Sequence, residues 1–187
     1  MTLVEQLAHY VATLRYEDIP PEVVKQAKRL LIDTVGCALG GYTSGPSDIA
    51  QALAGEVTST VPATVMVSGR QSSPELATFA NGVMIRYLDF NDGYTSVGES
   101  GHPSDSIAAA LTVAEIMKRD GRELITAIVI AYEVFCRVCD EVDLKPIGYD
   151  HVTIGGMASL AASARLLGLD EAKIAHAFNL HIAANVA

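Results

Sequence analysis

The sequence predicts an all-α, multi-helix domain over residues 1–187, with at most a short β excursion near residues 63–68. Apolar side chains recur at three- and four-residue steps along most of the chain, which is the period of one helix face. The segment Ala63-Thr64-Val65-Met66-Val67 is the one convincing strand candidate, and one or two strands do not make a sheet domain. Abundant alanine and glycine on the helical faces would let the helices approach one another closely.

The first helices are predicted from their start and stop signals. Thr2 and Glu5 match a helix capping box at the N-terminus. A second helix should run from Pro21 to Leu39, because Gly40-Gly41 follows its last apolar residue. Ser47 is expected to open a short third helix.

The rest of the chain predicts five more helices, each with its own apolar stripe. Ser72-Ser73-Pro74-Glu75 combines an N-cap with proline at the first helical position, and Asp170 is expected to cap the last helix. The predicted ranges are 74 to about 87, 107 to about 120, about 122 to 138, about 154 to 167, and 171 onward. Residues 179–187 are still apolar where the sequence stops, so we expect further chain to continue or dock there.

Bulk composition limits the possible classes of protein. Half of the residues are apolar and 19% are charged, as in a soluble globular chain. We expect no membrane span, no secretory signal and a cytoplasmic location. Cys37, Cys136 and Cys139 form no disulfide framework. The formal charge of −9 argues against a nucleic-acid partner, because phosphate neutralisation needs clustered lysine and arginine.

The first candidate site is a polar loop between two helical segments. It contains Leu88-Asp89-Phe90-Asn91-Asp92-Gly93-Tyr94 and then Gly101-His102-Pro103-Ser104-Asp105. Loops that hold acids, amides, hydroxyls and a histidine between rigid elements are typical of binding and catalytic sites. We interpret Ser104 as an N-cap with Asp105 at the positive end of a helix dipole, so that His102 lies just outside that end.

A second, smaller cluster precedes a later helix. This cluster is Gly148-Tyr149-Asp150-His151-Val152-Thr153, in which Thr153 is a candidate N-cap. His151 lies two residues before Thr153, just as His102 lies two residues before Ser104. A helix dipole disfavours imidazolium at such a position, so we expect neutral histidines that can accept or relay a proton. The free backbone N–H groups of two helix entrances would bind a carboxylate without a basic side chain.

These clusters suggest an acid–base site. Asp89, His102 and His151 are the candidate catalytic residues, with Asp89 orienting a histidine or exchanging a proton itself. The candidate substrate-binding residues are Asn91, Asp92, Tyr94, Thr95, Ser104 and Thr153.

Each of these features also has a purely structural interpretation. Asp and Asn in a glycine-containing loop often bond only their own backbone, and a histidine before a helix is often a packing residue.

Cys136 and Cys139 have redox or zinc spacing but no second pair of ligands, so we expect them to pack in a helix. Gly40 and Gly41 have no lysine beside them and do not predict a phosphate loop. His181 shares a stripe with core residues and is expected to be a core histidine.

Several of these motifs together resemble the MmgE/PrpD family over essentially all 187 residues. The segments that carry the resemblance are Leu31-Ile32-Asp33-Thr34-Val35-Gly36-Cys37, Ser73-Pro74-Glu75-Leu76-Ala77 running into Ala80-Asn81-Gly82, Leu88-Asp89-Phe90-Asn91-Asp92, His102-Pro103-Ser104-Asp105 and Gly148-Tyr149-Asp150-His151. The Asp-Phe-Asn-Asp and His-Pro-Ser-Asp forms are more similar to the methylcitrate dehydratase branch than to the decarboxylase and epimerase branches.

The resemblance implies a hydro-lyase that needs no metal or iron–sulfur cofactor. Family sites use the aspartate matching Asp89 and the histidines matching His102 and His151. In the decarboxylase branch, a threonine at the position of Gly93 makes a further contact in the site. That contact is either absent here or made by a neighbour such as Thr95. The implied activity is dehydration of 2-methylcitrate to 2-methyl-aconitate in propionate breakdown, with a small polycarboxylate as substrate.

The resemblance also implies a longer protein. Family members carry a second, lid-like domain with lysines that close over the substrate, and we expect this chain to correspond to the N-terminal part of the helical domain. The alternatives are a non-catalytic fragment, one subunit of a split enzyme, or a related decarboxylase or epimerase of small polycarboxylic acids. Broad apolar helix faces favour a homo-oligomer or a complementary C-terminal half as partner.

Overall fold

The computed structural model describes residues 1–185, which form eight α-helices and two small antiparallel strand pairs. The predicted all-α class with a short β excursion is therefore confirmed. The helices are α1 (Leu3–Thr13), α2 (Pro21–Gly41), α3 (Gly45–Gly55), α4 (Pro74–Arg86), α5 (Ile107–Ile116), α6 (Gly121–Glu141), α7 (His151–Leu167) and α8 (Glu171–Asn185). Residues 186 and 187, part of the apolar end that we expected to dock, lie outside the described range. Among residues 1–185, no helix is both long and apolar enough to cross a bilayer.

Three helix starts follow the caps read from the sequence. Thr2 and Glu5 form the predicted capping box on α1, and Ser73 Oγ accepts from Leu76 N at the start of α4. The Asp170 carboxylate accepts from Lys173 N over 2.9 Å at the start of α8. Local sequence therefore sets these boundaries.

The boundaries that differ from the prediction include those of α2, α3 and α5. The third helix starts before Ser47, because Ser44 Oγ accepts from Ser47 N over 3.3 Å and caps it earlier. α5 ends at Ile116 and not near Asp120, because Lys118 adopts a left-handed backbone with φ of 52°. α2 continues through Gly41.

Helix α6 is the centre of the fold. Ile128, Ala131 and Phe135 of its predicted stripe are almost fully buried and pack against α2, α5 and α7. Cys136 and Cys139 are free thiols on the same helix, and both pack in this core, as expected. The predicted core histidine, His181, is only partly buried on α8, and its ring occupies the space that a Cβ at Gly156 would need.

Glycine allows α2 and α4 to cross closely. A Cβ at Gly41 would overlap the backbone carbonyl of Met84, and one at Gly40 would lie 2.7 Å from the Leu88 side chain. These glycines therefore serve helix packing.

The strand pairs are two residues long on each side. β1 (Ala63–Thr64) lies within the predicted β excursion and pairs with β2 (Gln71–Ser72), which lies just after it. β3 (Tyr94–Thr95) pairs with β4 (Ser100–Gly101) inside the polar loop, where we predicted no strand. This second hairpin folds the loop back so that its two polar segments meet.

Candidate active site

The polar loop between α4 and α5 lies against the start of α7. The ring of His151, the first residue of α7, fills the space beside β4, so that a Cβ added at Gly101 would lie 2.5 Å from His151 Cγ. Because Gly101 has no side chain, the imidazole can pack directly against the loop. This contact brings the two sequence clusters together.

The structure places the three candidate catalytic side chains in one group. The His102 and His151 ring centroids are 5.7 Å apart, with the ring planes at 65°. His102 Nε2 lies 3.6 Å from Asp89 Oδ1. His102 and His151 are partly buried, whereas the Asp89 side chain is largely exposed at the rim.

A backbone hydrogen bond sets the tautomer of His102. Its Nδ1 lies 2.7 Å from the carbonyl oxygen of Asp92, and a carbonyl can only accept. Nδ1 therefore carries the hydrogen in the neutral ring. Nε2 is left as a proton acceptor facing Asp89.

Arg86, at the end of α4, is a site residue that the sequence analysis missed. Its Nη1 donates to Asp89 Oδ1 over 2.5 Å, and its Nε lies 3.7 Å from Asp105 Oδ2. The hydrogen bond from Arg86, together with its charge, lowers the pKa of Asp89 below the ordinary aspartate value. The available signal was the three-residue spacing between Arg86 and Asp89, which places the two side chains side by side at a helix end.

The backbone of Asp89 is unusual as well. Its φ is 50°, in the left-handed region that few non-glycine residues occupy, although aspartate tolerates it better than most. This turn directs the Asp89 carboxylate back toward Arg86, whose backbone carbonyl accepts from Asp89 N over 3.0 Å.

A hydrogen-bond network holds the two polar segments of the loop together. Asn91 Nδ2 donates to Ser104 Oγ over 2.9 Å and to Asp105 Oδ1 over 3.0 Å. Asp92 Oδ1 accepts from Ser104 N over 3.1 Å, and Asp92 Oδ2 accepts from the Tyr132 hydroxyl of α6 over 2.7 Å. Asn91, Asp92 and Ser104 therefore lie next to His102, with Asn91 and Ser104 buried as supports of the loop.

Asp105 is a second carboxyl in this group with an altered pKa. Burial raises its pKa above the ordinary aspartate value, against the opposing effects of Arg86, His102 and Asn91. The sequence motif predicts for Asp105 only a place at the positive end of a helix dipole. The structure makes it a partly buried acid beside the two imidazoles.

Two predicted caps are wrong. Ser104 does not cap α5, because residues 103–106 form a 3-10 turn before that helix and Ser104 is engaged by Asn91 and Asp92. Thr153 does not cap α7, because the Asp150 carboxylate accepts from Val152 N over 2.9 Å and starts the helix at His151. His151 is thus inside the first turn of the helix.

Three of the candidate substrate-binding residues have other surroundings or partners than the imidazoles. Thr153 lines an apolar groove of about 600 Å³ between α1, α6 and α7, on another face of α7 from His151. The Tyr94 hydroxyl donates to Asp140 Oδ1 over 2.8 Å. Thr95 is exposed on β3, and within residues 1–185 its side chain has no hydrogen bond to this group. Within residues 1–185, no hydrogen bond joins these three side chains to the His102–His151 pair.

The arrangement can support proton transfer at two positions. A basic nitrogen, a second imidazole and two carboxyls of opposite pKa shift surround one small region. Groups whose environments separate their pKa values are what acid–base catalysis needs. Within residues 1–185, no group of three or more His, Cys, Asp or Glu side chains is arranged to hold a metal ion.

The sequence is similar to those of several known proteins. Relatives named 2-methylcitrate dehydratase include those of Escherichia coli, 32% identical over 181 residues, and Cupriavidus necator, 34% identical over 183 residues; each alignment covers 89% of this chain. A mitochondrial 2-methylcitrate dehydratase of Yarrowia lipolytica is 29% identical over 196 residues, covering 95% of this chain. The alignments cover 37%, 36% and 36% of these three relatives, so the chain spans little more than a third of their length.

The family model described as "MmgE/PrpD N-terminal domain" matches residues 5–187. This range includes every element of the site described above. By this match, the chain belongs to the MmgE/PrpD family.

Proposed function

We propose that this chain supplies the acid–base residues of a hydro-lyase that dehydrates a small polycarboxylate, with 2-methylcitrate as substrate. The observation that carries the proposal is the convergence of His102, His151 and Asp89, with ring centroids 5.7 Å apart and a carboxylate 3.6 Å from His102 Nε2. The choice of substrate is supported by the name 2-methylcitrate dehydratase that these relatives carry.

The chemistry matches these groups. Dehydration removes a proton next to a carboxylate and expels a hydroxyl from the neighbouring carbon, which requires a base and an acid. His102 can act as the base, because its Nδ1 hydrogen is held by Asp92 and its Nε2 is free to accept. His151 then assists departure of the hydroxyl, and the charge of Asp89 stabilises the imidazolium that His102 becomes when it has taken up the proton.

The proposal includes a partner for this chain. Several large apolar side chains are more than half exposed on α2, α3 and the polar loop, including Ile32, Ile49 and Phe90. Contiguous exposed apolar surface is typical of interaction sites. A second copy or a complementary C-terminal half would cover it, and the latter would supply cationic groups for the substrate carboxylates. We place the reaction in the cytoplasm, in propionate catabolism.

A spectrophotometric assay tests the function. The chain is mixed with 2-methylcitrate, alone and with a separately expressed C-terminal region of the Escherichia coli relative, and the absorbance of the new conjugated double bond is followed. We expect the signal at least in the mixture. Signal only in the mixture would identify a split enzyme, and absence of signal in both would refute dehydration of this substrate.

Variants test the residues. His102→Ala and His151→Ala should each lower turnover by about 10²–10⁴-fold, the range for losing a general acid or base. His176→Ala is the matched control, because His176 is exposed on α8. Unchanged turnover in either site variant would remove that histidine from the mechanism. Release of carbon dioxide, or loss of optical rotation without an alkene, would instead indicate the decarboxylase or epimerase reaction.

A further inference from the structure

Arg86 has hydrogen-bond donors that its contacts with Asp89, Asn91 and Asp105 do not use. A guanidinium carries five N–H groups in one plane. Nη1 donates to Asp89 Oδ1 over 2.5 Å and lies 3.5 Å from Asn91 Oδ1. Nε is 3.7 Å from Asp105 Oδ2, which is longer than a hydrogen bond. Within the described part of the chain, Nη2 makes no hydrogen bond, so its two N–H groups remain for another acceptor.

The Arg86 side chain is accessible to a small ligand. It is 36% exposed and lies at the rim of the site, beside the largely exposed Asp89. Among residues 1–185, Arg86 is also the one lysine or arginine whose side chain is paired with Asp89 or Asp105. An anion that enters this group of side chains therefore meets its guanidinium here.

Two carboxylates compete for Arg86, but neither uses its full capacity. Asp89 is largely exposed, so solvent screens its pair with the guanidinium. Asp105 is partly buried, and burial raises the pKa of its carboxyl, which disfavours the ionised form. A carboxylate from a ligand can therefore compete for the free Nη2 donors.

Asp89 connects Arg86 to the candidate base. Its Oδ1 accepts from Arg86 Nη1 and lies 3.6 Å from His102 Nε2, the nitrogen that is left as a proton acceptor. The guanidinium and the accepting nitrogen are therefore neighbours on either side of one oxygen. Dehydration removes a proton from a carbon next to a carboxylate. A carboxylate held by Arg86 would bring that carbon close to His102 Nε2.

We propose that Arg86 binds one carboxylate of the substrate through Nη2, next to His102. The identity of the substrate rests on the proposed function, whereas the binding itself needs no turnover. A planar guanidinium matches the geometry of a carboxylate and binds it with more directional hydrogen bonds than an ammonium does. This chain would then supply one cation of the site itself, and a C-terminal region would supply cations for the other carboxylates.

Tricarballylate is the probe for this subsite, because it has the three carboxylates of 2-methylcitrate but no hydroxyl to expel. The chain is labelled with ¹⁵N-arginine, and nuclear magnetic resonance follows the guanidinium signals, alone and with the C-terminal region of the Escherichia coli relative. We expect the Arg86 signals to shift and saturate, at least in the mixture. The Arg15 signals should not move, although Arg15 is exposed and pairs with Asp18 at the same three-residue spacing. The net charge of −9 disfavours unspecific binding of a polyanion.

Arg86→Met measures how much the guanidinium contributes to binding. We expect the affinity for tricarballylate to fall by about 10- to 100-fold, the range for losing a hydrogen bond between charged groups. Arg15→Met, the matched control, removes the same charge from an exposed pair and should leave the affinity unchanged. Isothermal titration calorimetry measures both affinities.

Asp89→Asn separates direct binding from support of the loop. Asparagine tolerates a left-handed backbone, so the turn at residue 89 should be kept. The variant keeps Arg86 and removes a competing negative charge, so the affinity for tricarballylate should be unchanged or higher. If Arg86 only supports the loop through Asp89, this variant should instead weaken binding as much as Arg86→Met does. That result, or Arg86 signals that do not move in either sample, would overturn the proposal.

These outcomes are distinct from those of the dehydration assay. Saturable binding at Arg86 without dehydration of 2-methylcitrate would refute the proposed function and leave the carboxylate subsite in place. Dehydration with unmoved Arg86 signals would do the reverse. In an active enzyme, Arg86→Met should raise KM, because a contact made before the reaction is lost.

Discussion

His102 donates its Nδ1 hydrogen to the backbone carbonyl of Asp92 over 2.7 Å. The side chain of the same aspartate is held from both sides, by Ser104 N on Oδ1 and by the Tyr132 hydroxyl on Oδ2. The orientation of the candidate base therefore depends on how firmly one aspartate is anchored to α6. Mutations that loosen Asp92 should reach the imidazole indirectly.

Tyr132→Phe tests this anchor. The hydroxyl donates to a carboxylate in a partly buried place, and burial together with Asp92 raises the pKa of Tyr132 far above the ordinary tyrosine value. Removing it leaves Asp92 Oδ2 short of a donor, which should destabilise the fold by about 1.5–3 kcal/mol, the range for hydrogen bonds to charged groups. Urea unfolding followed by circular dichroism measures the loss.

The matched control is Tyr94→Phe. Its hydroxyl also donates to a carboxylate, Asp140, over 2.8 Å, but on the exposed end of α6. Water can replace that donor, so the loss should be clearly smaller than for Tyr132→Phe. Equal losses would mean that the Asp92 anchor contributes no more than a surface contact.

Gly101→Ala tests the contact that joins the two clusters. The new methyl group would lie 2.5 Å from His151 Cγ, so the imidazole must move away from His102. We expect destabilisation of about 1–3 kcal/mol, as for overpacked sites, and changed chemical shifts of the His151 ring. Gly93→Ala is the control in the same loop, since nothing lies within 4 Å of its Cβ position. An unshifted His151 ring in Gly101→Ala would contradict the close packing.

Gly41→Ala tests the crossing of α2 and α4, which sets the start of the polar loop. The added Cβ would overlap the Met84 carbonyl, which a rigid helix cannot easily move. The expected destabilisation is about 1–3 kcal/mol. Gly36→Ala in the same helix has open space around its Cβ and should stabilise α2 by about 0.5–1 kcal/mol. Thermal unfolding of both variants measures the contrast, and two effects of the same sign would refute the packing argument.

The sequence predicted those parts of the structure that depend on local chemistry. The Thr2–Glu5 capping box and the start of α4 follow from side chains within three residues of the atoms that they bond. The stripe on α6 follows from its 3.6-residue period. The wrong cap at Thr153 also has a local cause, because Asp150, three residues earlier, caps the helix instead. Thr153 is therefore inside the helix, on another face from His151.

The rest of the candidate site depends on contacts between distant segments. Tyr132 approaches Asp92 from 40 positions away. Tyr132 stands in no polar motif, so no pattern in the sequence pointed to it. The hairpin of β3 and β4, which unites the two halves of the polar loop, has strands too short to give a period.

Arg86→Met tests the ion pair at the rim of the site. The folded-state pKa of Asp89 is depressed, chiefly by the hydrogen bond from Arg86. Stabilisation by this pair is therefore present above the unfolded pKa of about 3.9 and is lost as the pH falls through the lower folded value. Without Arg86, the carboxylate should take up its proton at a higher pH. Titration of the ¹³C-labelled aspartate carboxyl signals measures this shift.

Arg15→Met is the matched control for that titration. Arg15 and Asp18 form an exposed pair with the same three-residue spacing, 2.8 Å apart, and Arg15 likewise lowers the pKa of Asp18. The control should raise the pKa of Asp18 and leave Asp89 unchanged, while Arg86→Met should do the reverse. Because Asp89 is largely exposed, solvent screens the pair, and overall stability at neutral pH should change little. If the Asp89 signal titrates identically with and without Arg86, the arginine does not control the charge of that carboxylate.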